Sequence, residues 1–249
     1  SSISSSIIRF APPAEPKPKV PTITPAPSCS GACLSQVRPT APPSSIDAHP
    51  YRHGDGSWYL FYCVDFLDLE GDHRAGTGIV VDRLLDMTRL EGKPQLVVRP
   101  HHDWHVFRKG RTMYGQVWDW HTVEGPAVLE RDGQVFCFYS GGAWERENYG
   151  VSYVLADHPL GPYRRPAGGH EALLMRSRPG AVIGPGHNSF TTSPDGSQTW
   201  IVYHAWDLTQ TARRMCIDRL DWAGARPVTA GPSVGAQEAP ACSAGQNSL

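Results

Sequence analysis

The chain has 249 residues, 19% of them charged, with a formal net charge of −1. That balance excludes the basic footprint of a nucleic-acid or anionic-membrane binder, and no run approaches the ~18 consecutive apolar residues that a membrane-spanning helix needs. With 25 glycines, 23 prolines and 10% aromatic residues, the composition describes short strands joined by tight turns, so the expected class is all-β.

Residues 1–44 carry ten of the 23 prolines and none of the eight tryptophans. The stretch APPAEPKPKVPTITPAP has no apolar periodicity and reads as a polyproline-like segment, disordered or foreign to the fold. The opening SSISSSIIRF lacks the apolar core of a secretion signal. Cys29 and Cys33 form a lone C-x-x-x-C without the second pair that a zinc site needs, whereas Cys63, Cys137 and Cys216 lie in apolar runs and read as buried thiols. The small, polar residues 231–249 read as a flexible tail, which leaves 45–230 as the folded body.

Three segments of that body align: IDAHPYRHGDGSWYLFY (46–62), VEGPAVLERDGQVFCFY (123–139) and GPGHNSFTTSPDGSQTWIVY (184–203). Each has an Asp-Gly turn, at Asp55, Asp132 and Asp195, leading into an aromatic and aliphatic strand. Asp-Gly between two strand-like runs predicts a hairpin, because both central residues of a type I′ turn need positive φ. Successive turns are 77 and 63 residues apart, a spacing that suits four-stranded propeller blades. Further strands are predicted at 76–82, 150–156 and 215–222, and no stretch shows capped helical periodicity.

Eight residues ahead of the three turns stand Asp47, Glu124 and His187. In a propeller, equivalent positions on successive blades form one ring about the axis, so the shared offset predicts that two carboxylates and an imidazole converge at one end of a channel.

The strings Ser-Ile-Asp-Ala-His-Pro-Tyr, Val-Glu-Gly-Pro and Gly-Pro-Gly-His-Asn-Ser-Phe, with ADHPLGPYR and YHAWD…RRMCIDRLDW further on, resemble glycoside hydrolase family 43 over residues 45–232. The resemblance implies a five-bladed β-propeller that removes arabinofuranosyl or xylosyl units from plant polysaccharides with inversion. It implies Glu124 as general acid and Asp47 as the carboxylate that tunes the acid and orients the sugar. It also implies His187 as a channel histidine, Arg213 or its neighbour Arg214 as an arginine reaching the pocket, and loop tryptophans, of which Trp144 and Trp206 are taken, as sugar-stacking groups. A raised acid pKa beside an ionised carboxylate is physically consistent with those roles. No cofactor is required on this reading; a structural Ca2+ near the channel axis is compatible with it, and no metal ligands are assigned. The partner implied is an oligo- or polysaccharide, with neither nucleic acid nor membrane, and an extracellular location follows from the family alone.

The family draws its general base from an Asp-Pro motif on the first blade and follows it with a Trp-Ala-Pro segment; this sequence has neither. The expectation is an N-terminally incomplete propeller of about three blades. Inversion needs two carboxyl groups about 6.5–9.5 Å apart, so two readings stay open: a glycosidase, or a sugar-binding propeller or inactive fragment that lacks the base.

Other signals are weaker. His101, His102 and His105 are expected on an exposed loop over the channel mouth rather than as metal ligands. His170-Glu171 begins a zincin-like string, but Leu174 stands where the second histidine is needed. Gly231-Pro-Ser233-Val-Gly235 matches a nucleophile elbow with no strand before it. Trp58, Trp200 and Trp222 read as core, while Trp104, Trp118, Trp120, Trp144 and Trp206 fall near strand ends or loops.

Overall fold

The computed structural model describes residues 45–69, 71–167 and 171–242. The readings of residues 1–44, with Cys29 and Cys33, of His170 and of residues 243–249 lie outside them. The described residues are all-β, fourteen strands and one short 3-10 turn at Asp103–His105.

The strands form three antiparallel groups in chain order. The first is β1 (Ile46–Arg52), β2 (Trp58–Phe66) and β3 (Gly76–Asp86), with the short β4 (Arg89–Leu90) and β5 (Gln95–Val98) both paired to β3. The long β7 (Gln116–Arg131) pairs through its first half with β6 (Val106–Met113). Its second half opens the next group, followed by β8 (Gln134–Gly141), β9 (Gly150–Ala156) and β10 (Met175–Arg176). A short parallel pairing of Gly76 and Thr77 with His121 and Thr122 joins β3 to β7. The third group, β11 (Ile183–Thr192), β12 (Thr199–Trp206), β13 (Arg213–Ala223) and β14 (Arg226–Thr229), is a sheet of its own.

The groups are packed face to face, as β8 shows. Successive side chains of a strand point to opposite faces. In β8, Val135, Cys137 and Tyr139 enter a cluster with Tyr59, Phe61, Cys63, Ile79 and Val81, whereas Phe136 and Phe138 enter a second cluster with Val151, Tyr153, Ile201, Tyr203 and Leu220. A strand buried on both faces reads as a continuous apolar run, which is why VFCFY is so conspicuous in the sequence.

The three Asp-Gly turns are not alike. At Asp132-Gly133 both residues have positive φ (51° and 73°) and the loop is the two residues between β7 and β8. At Asp55-Gly56 and Asp195-Gly196 only the glycine does. These loops are longer, and the aspartate turns back on its own backbone: Asp55 Oδ1 accepts from the Ser57 amide (2.8 Å) and Asp195 Oδ1 from the Ser197 amide (3.0 Å). Both are Asx turns rather than the expected type I′.

Several other expectations are corrected. His101 and His105 are buried rather than exposed, with His105 Nδ1 accepting from the His101 and His102 amides. Trp120 is a core residue at 1% exposure, and Cys216 is only half-buried. Residues 231–242, expected as loose tail, are tied to the third sheet: the Ser233 amide donates to Asp218, Gln237 donates to the Ile217 carbonyl and the Asp195 amide donates to the Ala241 carbonyl. The hairpin of β6 and early β7 was absent from the sequence reading because its largely exposed faces leave no apolar alternation in RKGRTM.

Asp218, at 1% exposure, also accepts from the Tyr203 hydroxyl at 2.6 Å. Tyr203→Phe leaves that buried carboxylate short of a donor, so we expect a loss of about 1–3 kcal/mol, read as a lower urea midpoint with an unchanged m-value.

Candidate active site

The site is built from three bulges. In β1 the pairing steps from Ile46↔Cys63 to His49↔Phe61, in β7 from Glu124↔Ser140 to Ala127↔Phe138, and in β11 from Gly186↔His204 to Ser189↔Val202. Each time three residues oppose two, and the extra residue bends its strand and re-aims its side chains. The residue just after the last regular pair is left-handed: Asp47 (φ 55°), Gly125 (φ 59°) and His187 (φ 50°).

Asp47 and His187 are therefore structural equivalents, but Glu124 is not their counterpart; Gly125 is. The shared spacing of eight residues misplaces the middle member by one because its hairpin loop is the shortest. The three side chains meet nonetheless. The Gly125 amide donates to Asp47 Oδ2 at 3.1 Å, and His187 Nε2 lies 4.0 Å from Asp47 Oδ1. Gly125 has no Cβ for a physical reason, since one built there would stand 3.2 Å from the His187 ring. The His187 amide is held by Ser140 Oγ at 2.7 Å.

Glu124 accepts from the Tyr149 hydroxyl at 2.6 Å, through Oε1. Burial, the largest influence, holds its carboxyl above the usual carboxylate range. The Tyr149 hydrogen bond, His187 and Arg213 pull it down, and the charge of Asp47 pushes it up. Tyr149 itself is raised far above the usual phenol value by burial and the facing carboxylate, so its hydroxyl stays a donor.

Arg213 and Arg214 are told apart by their partners. Arg213 opens β13 opposite Trp206, lies over the Trp144 ring (4.6 Å to its centre) and faces His204 Nε2 at 3.4 Å. Arg214 turns to Asp207 on the exposed loop. His204 is lowered to about 4 by burial, then by Arg213 and His187, so its neutral ring can accept from the guanidinium. Trp144 and Trp206 stack at 5.7 Å and 17°, with Trp206 Nε1 donating to the Trp144 carbonyl at 2.8 Å.

Asp47, Glu124, His187, Arg213, Trp144 and Trp206 thus form one constellation. Asp47 is 18% exposed and His187 44%, so solvent reaches the group. Chemically, it offers a half-buried carboxyl with a raised affinity for its proton, a second carboxylate, a cation and flat aromatic faces. Tyr149, Ser140, Gly125 and His204 escaped the sequence reading. Only the Gly-Pro repeats at 125–126 and 184–185 hinted at unusual backbone there. A cavity of about 830 Å³ lined by Leu173–Pro179 and Pro232 shares no residue with this site.

Residues 32–225 match a family model described as glycosyl hydrolases family 43. A β-D-galactofuranosidase, xynD, of Aspergillus niger is 40% identical over 101 residues, 39% of this chain and 28% of the relative. An extracellular exo-α-(1→5)-L-arabinofuranosidase of Streptomyces chartreusis is 27% identical over 177 residues, 68% of this chain and 47% of the relative. Among solved structures, a thermostable family-43 glycoside hydrolase is 31% identical with a TM-score of 0.67, covering 80% of this chain and 61% of that one. An α-L-arabinanase of Cellvibrio cellulosa shares the fold at 20% identity and TM-score 0.57, over 79% of this chain and 60% of that one. The chain spans less than half the length of these two curated relatives.

Gly125→Ala forces an L residue into the left-handed region and pushes a methyl group against His187. We expect a cost of about 1–2 kcal/mol, with displacement of the His187 ring visible as a changed imidazole proton shift in NMR.

Proposed function

Because the chain belongs to glycosyl hydrolase family 43, we propose that this constellation binds arabinose- or xylose-containing polysaccharides and hydrolyses a glycosidic bond in them with inversion. The observation that carries the reading is the meeting of the half-buried Glu124, whose carboxyl is shifted above the usual carboxylate range by burial and by the charge of Asp47, with the carboxylate of Asp47. Glu124 gives its proton to the glycosidic oxygen as the bond from that oxygen to the anomeric carbon breaks, so the leaving sugar departs as a neutral alcohol. Asp47 raises the acid by like-charge repulsion and orients the sugar. Arg213 and His187 hold hydroxyl groups, while Trp144 and Trp206 offer faces on which a ring can lie.

Water must attack from the opposite face and lose its proton to a second carboxylate about 6.5–9.5 Å from the acid. The family supplies that base from an Asp-Pro motif absent from this sequence. Asp47 is poorly suited to replace it, with Oδ2 engaged by the Gly125 amide and Oδ1 turned toward His187. That observation favours a second reading, capture of the sugar without cleavage.

In this proposal the three strand groups are blades of a propeller of the five-bladed type, formed by residues 45–230. The arabinofuranosidases named extracellular among the relatives support an extracellular placement. A structural Ca2+ takes roughly six to eight oxygen ligands. Among the described residues no group of three or more His, Cys, Asp or Glu side chains is placed to hold a metal ion.

Glu124→Gln should lower kcat on arabinan or xylan by about 10²–10⁴-fold, with part of the loss recovered on an aryl glycoside whose leaving group needs no proton. Retained activity of the variant on the natural polymers contradicts the acid assignment. Saturable binding of oligosaccharides in calorimetry with no release of reducing sugar by the parent chain favours capture instead.

Activity requires protonated Glu124, so it falls as pH rises through the pKa of that group. Asp47→Asn removes the like charge that raises it, and the basic limb of the kcat/KM profile should move to lower pH.

A further inference from the structure

We infer that Tyr149 is a positioning residue for the Glu124 carboxyl, clamping Oε1 so that Oε2 is the oxygen presented to the leaving group. The delivery of the proton rests on the hydrolytic reading above; the clamp itself rests on geometry.

Tyr149 is fully buried, just ahead of β9, and its ring is fixed on two sides. One side is covered by the backbone of β11, where a Cβ on Gly186 would overlap the ring. Against the other, His204 stacks at 5.8 Å and 14°. Its amide is anchored on the Arg146 carbonyl at 3.2 Å. A phenol held this way has its oxygen fixed in place, 2.6 Å from Glu124 Oε1 and with Ser140 as its other hydrogen-bonding neighbour.

A glutamate side chain otherwise turns freely about its last bond. Fixing one oxygen turns a mobile acid into one of defined reach, and misplacement of a reacting group by about 1 Å can cost ~10²-fold in rate. The groups facing Glu124 are Asp47 from β1, the Cys63 thiol from β2, His187 from β11 and Arg213 from β13. Among the described residues, Tyr149 is the one hydrogen-bonded to it.

Tyrosine and aspartate act on the acid with opposite signs. The hydroxyl donates to the carboxylate and favours the ionised form, whereas Asp47 disfavours it. Removing the donor therefore raises the titration of Glu124, and removing the aspartate lowers it. A tyrosine that merely filled space would leave the Glu124 midpoint unmoved on loss of its hydroxyl, whereas the effect of Asp47 is independent of it.

The experiment is a carbon-13 NMR titration of the glutamate carboxyl groups in the full chain, with E124Q assigning the resonance. We expect the Glu124 midpoint to rise by roughly one pH unit in Tyr149→Phe and to fall in Asp47→Asn. On arabinan or xylan, the basic limb of kcat/KM should move upward in Tyr149→Phe, with kcat reduced about tenfold. An unchanged or lowered midpoint in Tyr149→Phe overturns the inference. Should that variant fail to fold, 3-fluorotyrosine placed at position 149 keeps the shape and strengthens the donor; a lowered midpoint supports the clamp and an unmoved one overturns it. A raised midpoint in Tyr149→Phe, in a parent chain that cleaves no polymer, sustains the hold of Tyr149 on Glu124 and removes the hydrolytic reading.

Discussion

A strand can aim a side chain along its own edge only by leaving its ladder, and the β-bulge is the device by which three strands here do so. One residue of β1, β7 and β11 is pushed into the left-handed region, where an L residue is disfavoured by about 1–2 kcal/mol. At Gly125 that cost is absent. At Asp47 and His187 it is offset by what the bend makes possible: the Gly125 amide against Asp47, and Ser140 against the His187 amide. The bulged residues are thus one another's partners. Gly125 is small because His187 lies on it, and its amide is free of the ladder and can therefore serve Asp47.

The electrostatics of the site follow from this placement. Glu124 sits on the last regular pair before its bulge, deep enough for burial to favour its protonated form. Asp47 strengthens that tendency, whereas Tyr149, His187 and Arg213 oppose it. A neutral His204 joins the opposing members, stacked on Tyr149 and facing Arg213. A carboxyl balanced between such influences holds its proton above the usual carboxylate range and can still release it, which is the property a general acid needs.

Much of this was legible in the sequence. The all-β class followed from composition, the hairpins from Asp-Gly between apolar runs, and the meeting of Asp47, Glu124 and His187 from their common spacing. The spacing was nonetheless imperfect as a guide, since it counted from turns of unequal length and so equated Glu124 with residues that match Gly125. Tyr149 was invisible for a different reason. Its role comes from long-range packing under Gly186 and beside His204, and no local pattern encodes that. The same holds for Trp120, His101 and His105, whose burial depends on how neighbouring strands cover them. Arg213 and Arg214 could be separated only once β13 had a register against β12.

A crystal structure of the chain soaked with L-arabinose tests the convergence of the three bulges most directly. The account predicts one sugar ring contacting Asp47, Glu124 and His187 together, with Tyr149 still on Glu124 Oε1 and Arg213 and Trp144 at its rim. Carboxyl groups of Asp47 and Glu124 more than about 15 Å apart, a span that no single sugar fills, would contradict it.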